Sequence, residues 1–431
     1  MTAVVGIMNK RGIAIAADSA VTITNEKGLK IANSANKMLR LSSTQPVSVM
    51  VVGNACFLDT YWDIILRRYR QKRGDINLPS VEAYVEDFLA YISTEKQLSN
   101  LPYEKAYVLE GIHQCFDMIN ADAPCVKTDD NYNATNINEI TQAFHEKMAQ
   151  TREEWKDIQP GPAFKDYTLK AFKKYASGLW NQFVKEVIDD FYCPYPKSFF
   201  NQIKDEVLEF VLLYLTKYRN DDETVLVFSG FGVEEEYPSL IAVRIDEGFD
   251  GRVCYRIQDK DRVHISEKNE TAICPYAQSD IMLALLTGVN PRFKKEAFYR
   301  NKNIYDDYED QVRFFLKAND KFTDNMKTTI NKVKYVDLRH GFKSFEDKLE
   351  KASWQTWLKA LKNYDLQDMA HLAENLVALT SFERHMTFQE EGVGGPIDLA
   401  IITKNNGFVW LNRKSWYNHQ DVGGRYGKFG V

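Results

Sequence analysis

The N-terminal segment most constrains the fold, because it contains two apolar runs that suit a buried sheet. Residues 2–8 (TAVVGIM) and 13–18 (IAIAAD) consist almost entirely of small or β-branched residues, and the turn NKRG at 9–12 joins them. Uninterrupted runs of this kind are typical of strands that are buried on both faces. A third apolar run opens at Lys37 and reaches Leu41. We therefore predict that the chain is organised around this N-terminal sheet.

Three residues at the edges of these runs suit nucleophilic chemistry. Thr2 follows Met1 directly, and a residue this small allows an aminopeptidase to remove Met1 and expose an α-amine. That amine has a pKa of about 7.7–8.0 in model peptides, so near neutral pH it can take the proton of the threonine hydroxyl. A lysine ammonium nearby would lower the pKa of the amine by repulsion, and a carboxylate would hold the lysine. Lys37 and Asp18 are the candidates for these two roles.

The same stretch resembles a known family. The run TAVVGIMNKRGIAIAADSAVT, followed by NKMLRLS and by VMVVGNA at 49–55, is similar to the N-terminus of proteasome β subunits and of the bacterial HslV peptidase. Those proteins are N-terminal-nucleophile (Ntn) hydrolases with an active-site threonine. The resemblance implies that Thr2 is the nucleophile, that Asp18 and Lys37 support it, and that the backbone N–H of Gly53 contributes to the oxyanion hole.

The choice of lysine has one alternative. The connection from Asp18 to Lys37 is a few residues longer than in those relatives, which makes Lys30 a rival for the supporting role. The spacing from Lys37 to Leu41 matches the relatives, so we assign the role to Lys37.

Two other parts of the chain depart from the family pattern. The relatives carry a carboxylate and a serine just before a pair of glycines near the C-terminus, and Glu390 and Val393 stand at those places here. Glu390 is either a substitute carboxylate or a solvated loop residue, and Val393 has no polar side chain. A Gly-Ser-Gly run that precedes a helix in HslV is absent before Pro275.

Composition excludes several other classes of function. The chain has 431 residues, 44% of them hydrophobic and 27% charged, and its net charge of −5 does not favour nucleic-acid binding. The six cysteines are scattered without a C-x-x-C pair, so we expect neither a disulfide framework nor a metal site, and no cofactor motif is recognisable. The sequence shows no signal peptide and no membrane span, and we expect a cytoplasmic protein.

We predict an α+β fold, the four-layer αββα sandwich of Ntn hydrolases with two mainly helical insertions. The sequence divides into an Ntn core at 1–75, 222–290 and 365–415, helical insertions at 76–221 and 291–364, and a flexible tail at 416–431.

Three local patterns make specific predictions. Phe57, Tyr61, Ile65 and Tyr69 recur every four residues, which predicts a helix over 55–70 with Asn54 as its N-cap. Pro275 suits the first turn of a helix. Two short apolar runs, 398–403 and 408–413, flank the sequence KNNG, and Asn-Gly between such runs is a strong hairpin signal.

The resemblance implies an enzyme that cleaves peptide or protein substrates through an acyl-enzyme on Thr2. It also implies a homo-oligomer and an ATP-driven unfoldase as partner. Two alternatives stay open: an Ntn amidohydrolase that acts on a small non-peptide amide, and a catalytically silent scaffold subunit.

Overall fold

A computed structural model describes residues 2–25, 28–32, 36–42, 44–95, 98, 100–122, 134–189, 195–217, 223–318, 335–387 and 393–414. The strands, in chain order, are β1 (Ala3–Asn9), β2 (Gly12–Ala17), β3 (Val21–Asn25), β4 (Gly28–Ala32), β5 (Met38–Arg40), β6 (Val47–Val52), β7 (Cys56–Phe57), β8 (Thr60–Tyr61), β9 (Thr224–Gly230), β10 (Ser239–Phe249), β11 (Arg252–Arg256), β12 (Arg262–His264), β13 (Thr271–Ala277), β14 (Asp398–Thr403) and β15 (Gly407–Asn412). The helices are α1 (Trp62–Arg73), α2 (Val81–Thr94), α3 (Leu101–Asp122), α4 (Ala134–Trp155), α5 (Leu169–Asp189), α6 (Lys197–Lys217), α7 (Asp280–Thr287), α8 (Pro291–Ala318), α9 (Tyr335–Leu361) and α10 (Leu366–Met386).

These elements form a mixed α+β fold with antiparallel sheets, as the sequence predicts at that level. The chain divides into two compact units: residues 1–38, 235–239 and 264–431 form the first, and residues 39–234 and 240–263 form the second. The four-layer arrangement and the division into core and insertions stay predictions. The predicted tail at 416–431 lies outside the described residues.

The first unit is built on a five-stranded sheet with the order β13-β1-β2-β14-β15. Every residue of β1 and β2 is buried, which agrees with the apolar runs that predicted them. Helix α10 packs across these two strands, and its residues Met369, Ala373 and Val377 share one apolar cluster with Val5 and other residues of the sheet. The core of this unit therefore lies between the N-terminal strands and α10.

The predicted C-terminal hairpin is confirmed. Strands β14 and β15 pair antiparallel with Thr403 opposite Gly407, and β14 also pairs with β2. Gly407 has a φ of 69°, a backbone conformation that glycine adopts without strain. The hairpin thereby places Asp398 opposite Ala17, at the end of the second strand.

Pro275 does not begin a helix, so that prediction is wrong. It lies inside β13, opposite Val5 of β1, and the following helix α7 begins only at Asp280. Strand β13 is at the edge of its sheet, where a residue without a backbone N–H leaves no ladder partner unsatisfied. The edge position explains why a proline is tolerated there.

The predicted helix over 55–70 begins later than expected. Residues 56–61 instead form a two-stranded hairpin, β7 and β8, and α1 begins at Trp62. Leu58 and Asp59 turn this hairpin with positive φ values of 45° and 66°. The Leu58 N–H donates to the Glu247 carboxylate at 2.7 Å, so a bond distant in sequence outweighs the local helical periodicity.

Asn54 is consequently not a helix cap. Tyr61 occupies the N-cap position of α1, while the Asn54 side chain accepts a bond from the N–H of Cys56. Gly53 is exposed with a φ of 89°, and a Cβ there would lie 2.4 Å from the carbonyl oxygen of Glu223. Glycine is therefore required at this position for backbone reasons, and the position is not at a helix N-terminus.

The second unit contains a six-stranded sheet and most of the predicted helical segment. Its central path is β11-β10-β9-β6-β5, and α1 and α2 cover the core that includes Phe88 and Phe228. Helices α3, α4 and α5 each pack against α6 around a separate aromatic core, which includes Phe183 and Leu208. Most of the described residues between 81 and 217 lie in helices α2 to α6, and the assignment of 76–221 as a helical insertion stays a prediction.

Replacing Leu208 with alanine should measure how much the four-helix core contributes. Leu208 is fully buried, so Leu208→Ala should lower the free energy of unfolding by about 2–5 kcal/mol. The matched control is Leu101→Ala at the exposed start of α3, which should change it by less than about 0.5 kcal/mol. Urea denaturation followed by circular dichroism compares the two. Equal effects would contradict this packing.

Candidate active site

The ends of several strands meet at one end of the five-stranded sheet. Ala3 at the start of β1 pairs with Ala277 at the end of β13, and Val4 pairs with Ala17 at the end of β2. Ala17 in turn pairs with Asp398 at the start of β14. This pairing gathers the residues next to Thr2, Asp18 and the C-terminal hairpin in one place.

Asp18 lies at the centre of this convergence and is almost fully buried. Its Oδ1 accepts bonds from the N–H of Ala3 at 2.9 Å and from Lys37 Nζ at 2.7 Å. Its Oδ2 accepts from the N–H of Ala20 at 3.2 Å and of Gly394 at 3.1 Å. The Asp18 carboxylate is therefore the acceptor at the centre of a network of four donors.

Lys37 is the cationic partner of that centre. Its side chain is 5% exposed, and the Asp18 side chain is not exposed at all. Burial lowers the pKa of Lys37 below its ordinary value, and the charge and hydrogen bond of Asp18 oppose this effect without cancelling it. Lys37 is thus a buried ammonium that holds its proton less firmly than a surface lysine does.

Lys30, the rival for this role, occupies a different place. It lies in strand β4, where it pairs with Ile23 of β3. The predicted long connection between Asp18 and Lys37 therefore contains a two-stranded hairpin. Lys37 contacts Asp18 through its Nζ.

Thr2 is buried and lies immediately before β1. Its carbonyl oxygen accepts a bond from the N–H of Gln278, at the end of β13, and the next residue, Ala3, donates to Asp18. Backbone bonds on both sides therefore fix the position of Thr2. Ser279 follows Gln278 in the same turn and precedes α7.

Gly53, Glu390 and Val393 are the other positions that the family resemblance singles out. Gly53 belongs to the second unit, and its role in an oxyanion hole stays a prediction. Glu390 lies outside the described residues. Val393 is buried in the apolar cluster of the first unit, and the backbone N–H of its neighbour Gly394 is the group that reaches Asp18.

Sequence reasoning missed a second buried ion pair next to the first. Lys414, just after β15, lies 2.6 Å from the Asp398 carboxylate and 3.0 Å from the hydroxyl of Ser19. Pairing the two strands of the predicted hairpin outward from its Asn-Gly turn would have placed Asp398 opposite the residues around 413. Ser19 carried no signal beyond its position after Asp18.

No group of three or more His, Cys, Asp or Glu side chains that could hold a metal ion occurs in the part of the chain that the structure describes. Within the same residues, no helix combines the length and the apolar composition that crossing a bilayer requires.

Removing the charge of Asp18 should be costly, because it leaves the Lys37 ammonium buried without its partner. We expect Asp18→Asn to lower the free energy of unfolding by about 3–5 kcal/mol, measured by urea denaturation. Asp18→Asn combined with Lys37→Met should recover part of this loss, since the uncompensated charge is then absent.

The control is the exposed pair of Lys10 and Glu267, whose charged atoms are 2.6 Å apart. Glu267→Gln should leave the unfolding midpoint unchanged within experimental error, because exposed pairs contribute little. Similar midpoints for Asp18→Asn and Glu267→Gln would show that the Asp18–Lys37 pair is not buried as described.

Comparison with known proteins identifies no family by sequence. No family model matches the chain, and no curated protein matches it. Among solved structures, the chain is similar to the Anbu (Gly-1) mutant from Hyphomicrobium sp. strain MC1, with 9% sequence identity and a TM-score of 0.28. The match covers 96% of this chain and 86% of that one. At these values, the interpretation of the site depends on its own residues.

Proposed function

We propose that the chain is a proteasome-like N-terminal threonine hydrolase, which cleaves amide bonds through an acyl-enzyme on Thr2 after removal of Met1. The observation that carries this proposal is the buried Asp18–Lys37 pair, whose carboxylate also binds the N–H of Ala3. A charge pair buried this completely costs free energy to desolvate. The Ala3 N–H that Asp18 binds belongs to the residue that follows Thr2. A charged pair at that position favours a chemical role over a purely structural one.

The reaction begins with proton transfer from the Thr2 hydroxyl to the α-amine of the same residue. The hydroxyl oxygen attacks the substrate carbonyl carbon, and the carbonyl electrons move to its oxygen. When the tetrahedral intermediate collapses, the C–N bond breaks and the α-ammonium returns its proton to the departing amine. An ester on Thr2 remains, and water, deprotonated by the same amine, hydrolyses it to a carboxylic acid and free enzyme.

Lys37 and Asp18 have supporting roles in this scheme. The Lys37 ammonium lowers the pKa of the α-amine by repulsion, which keeps more of the amine in its basic form at neutral pH. Asp18 holds Lys37 and the N–H of Ala3 together, so the base and the nucleophile keep a fixed geometry. We assign the oxyanion to the N–H of Gly53 and an auxiliary carboxylate to Glu390, both by family resemblance.

The substrate class follows from the resemblance to peptidases, and a small non-peptide amide is the alternative for the same chemistry. The proposal includes the four-layer αββα arrangement, a cytoplasmic location, a homo-oligomer and an ATP-driven unfoldase as partner. Assays with peptide and small-amide panels distinguish the two substrate classes.

One observation favours a catalytically silent scaffold instead. Val393 is 5% exposed and belongs to the apolar core of the first unit, where the family resemblance would place a serine. A core valine cannot donate or accept a hydrogen bond through its side chain. If the protein is a silent scaffold, we expect that Thr2 does not react with an acylating reagent.

Labelling with a threonine-reactive β-lactone tests the proposal. The intact mass of the purified protein should show loss of Met1 and one adduct, which peptide mapping places on Thr2. Thr2→Ala should abolish the adduct, because the nucleophilic oxygen is absent, whereas Thr2→Ser should retain it. Retention of Met1 or an unlabelled Thr2 in the unsubstituted protein would favour the scaffold.

The two lysines provide a matched comparison for the supporting role. Lys37→Met should slow labelling by at least about 100-fold, since it removes the cation that tunes the base. Lys30→Met should keep the rate within about twofold of the unsubstituted protein, because Lys30 lies in a separate strand. The rate of adduct formation, measured by mass spectrometry, compares them. The opposite order would assign the role to Lys30.

A further inference from the structure

Lys414, which follows β15, is buried together with its ion-pair partner Asp398. Its side chain is 7% exposed, and that of its partner Asp398 is 3% exposed. The Lys414 Nζ donates to Asp398 Oδ2 at 2.6 Å, and its backbone N–H donates to Asp398 Oδ1 at 2.9 Å. Both carboxylate oxygens are therefore bound by one residue.

The same ammonium also reaches the segment that follows β2. Lys414 Nζ donates to the hydroxyl oxygen of Ser19 at 3.0 Å, and that hydroxyl donates to the carbonyl of Pro396 at 2.7 Å. The N–H of Ser19 donates to the carbonyl of Gly394 at 3.2 Å. Lys414 thus ties together the two segments that enclose Asp18.

These bonds continue to the carboxylate of Asp18. Gly394 accepts from Ser19 through its carbonyl and donates to Asp18 Oδ2 through its N–H at 3.1 Å. Hydrogen bonds therefore hold both peptide groups that flank the Gly394 Cα. Loss of the hydrogen bonds that join Lys414, Ser19 and Pro396 would release the Gly394 N–H, one of the donors that hold the Asp18 carboxylate.

Lys414 also acts on Lys37 through its charge. Among the described residues, the charges of Asp18, Asp398 and Lys414 act on Lys37: the two carboxylates raise its pKa, and Lys414 lowers it. Removal of the Lys414 charge takes away the repelling cation and leaves Asp398 uncompensated, so Lys37 should then keep its proton to higher pH.

Strands β1 and β2 and the Asp18–Lys37 pair do not require the second buried pair, Lys414–Asp398. A buried pair is weak evidence for stability, because apolar residues of similar volume often stabilise as well. One bond of Lys414 nevertheless reaches beyond the hairpin, to the hydroxyl of Ser19, the residue that follows Asp18. A role in positioning accounts for that bond, whereas a role in hairpin stability alone does not.

We propose that Lys414, with Asp398 and Ser19, is a positioning residue for the Thr2 site, which fixes Gly394 against Asp18. This inference rests on the proposed hydrolase function for its catalytic consequence. The positioning itself concerns the backbone around Asp18 and is measurable without catalysis.

The test compares Lys414→Met, Lys414→Arg and Lys404→Met in the full chain. Lys404 is the matched control: it lies in the turn of the same hairpin, is exposed, and bonds to the carbonyl of Glu235. A double variant, Lys414→Met with Asp398→Leu, provides a folded reference if the single charge removal prevents folding, because it leaves no unpaired charge. The readouts are the rate of β-lactone labelling from pH 5 to pH 11, the thermal midpoint, and hydrogen exchange of the Gly394 and Ala3 amides.

We expect Lys414→Met to slow labelling on the order of 10- to 100-fold, because small displacements at a reacting centre have effects of this size. The alkaline limb of its pH profile should move to higher pH, since Lys37 keeps its proton longer. Lys414→Arg should restore part of the rate, and Lys404→Met should match the unsubstituted protein. The double variant should label slowly even where its thermal midpoint is unchanged.

Two results would overturn the proposal where the unsubstituted protein is labelled. One is that Lys414→Met changes neither the rate of β-lactone labelling nor the alkaline limb of its pH profile. The other is a rate that falls equally at every pH in step with the thermal midpoint, which indicates a structural role alone.

If the unsubstituted protein is not labelled at Thr2, the proposed hydrolase function fails, and amide exchange decides the question. Exchange at Gly394 that is at least about tenfold faster in Lys414→Met than in Lys404→Met supports the positioning role. Equal exchange in the two variants overturns it.

Discussion

The buried ion pair between Asp18 and Lys37 is the interaction on which the candidate site depends. Moving an isolated ammonium or carboxylate out of water costs several kcal/mol, so each of these charges requires close partners. Asp18 obtains them from the Lys37 ammonium and from three backbone N–H groups, those of Ala3, Ala20 and Gly394. The pair therefore forms only where the ends of β1, β2 and β14 meet. Its formation depends on correct assembly of the five-stranded sheet.

This dependence connects the fold to the proposed chemistry. Thr2, the proposed nucleophile, lies just before β1. Its proposed supporting residues are Asp18, which follows β2, and Lys37, which precedes β5. Lys414, after β15, bonds to Ser19 beside Asp18. A low-dielectric environment strengthens the charge interactions among these groups. The two ion pairs lie close enough for Lys414 and Asp398 to influence the pKa of Lys37 in opposite directions.

Much of the first unit could be predicted from sequence, because its strands are short apolar runs with clear turn residues between them. The β1–β2 pair and the Asn-Gly hairpin are examples in which local composition and final structure agree. The start of α1 was misplaced because residues 57 and 61 fit a helical period, although the bond from Leu58 to the distant Glu247 decides the backbone there. The prediction for Pro275 was wrong because a proline fits this strand only at a sheet edge. The edge position of β13 is visible only in the complete sheet. Asp398 and Lys414 were missed because their pairing depends on strand register and burial.

A crystal structure of the mature protein after β-lactone treatment would show whether Thr2 is the nucleophile that we propose beside the Asp18–Lys37 pair. We expect continuous electron density from the Thr2 side-chain oxygen to the acyl carbon of the reagent, with the Lys37 ammonium in contact with Asp18. An ordered Met1 that covers an unmodified Thr2, or a Lys37 side chain directed away from Asp18, would refute this proposal.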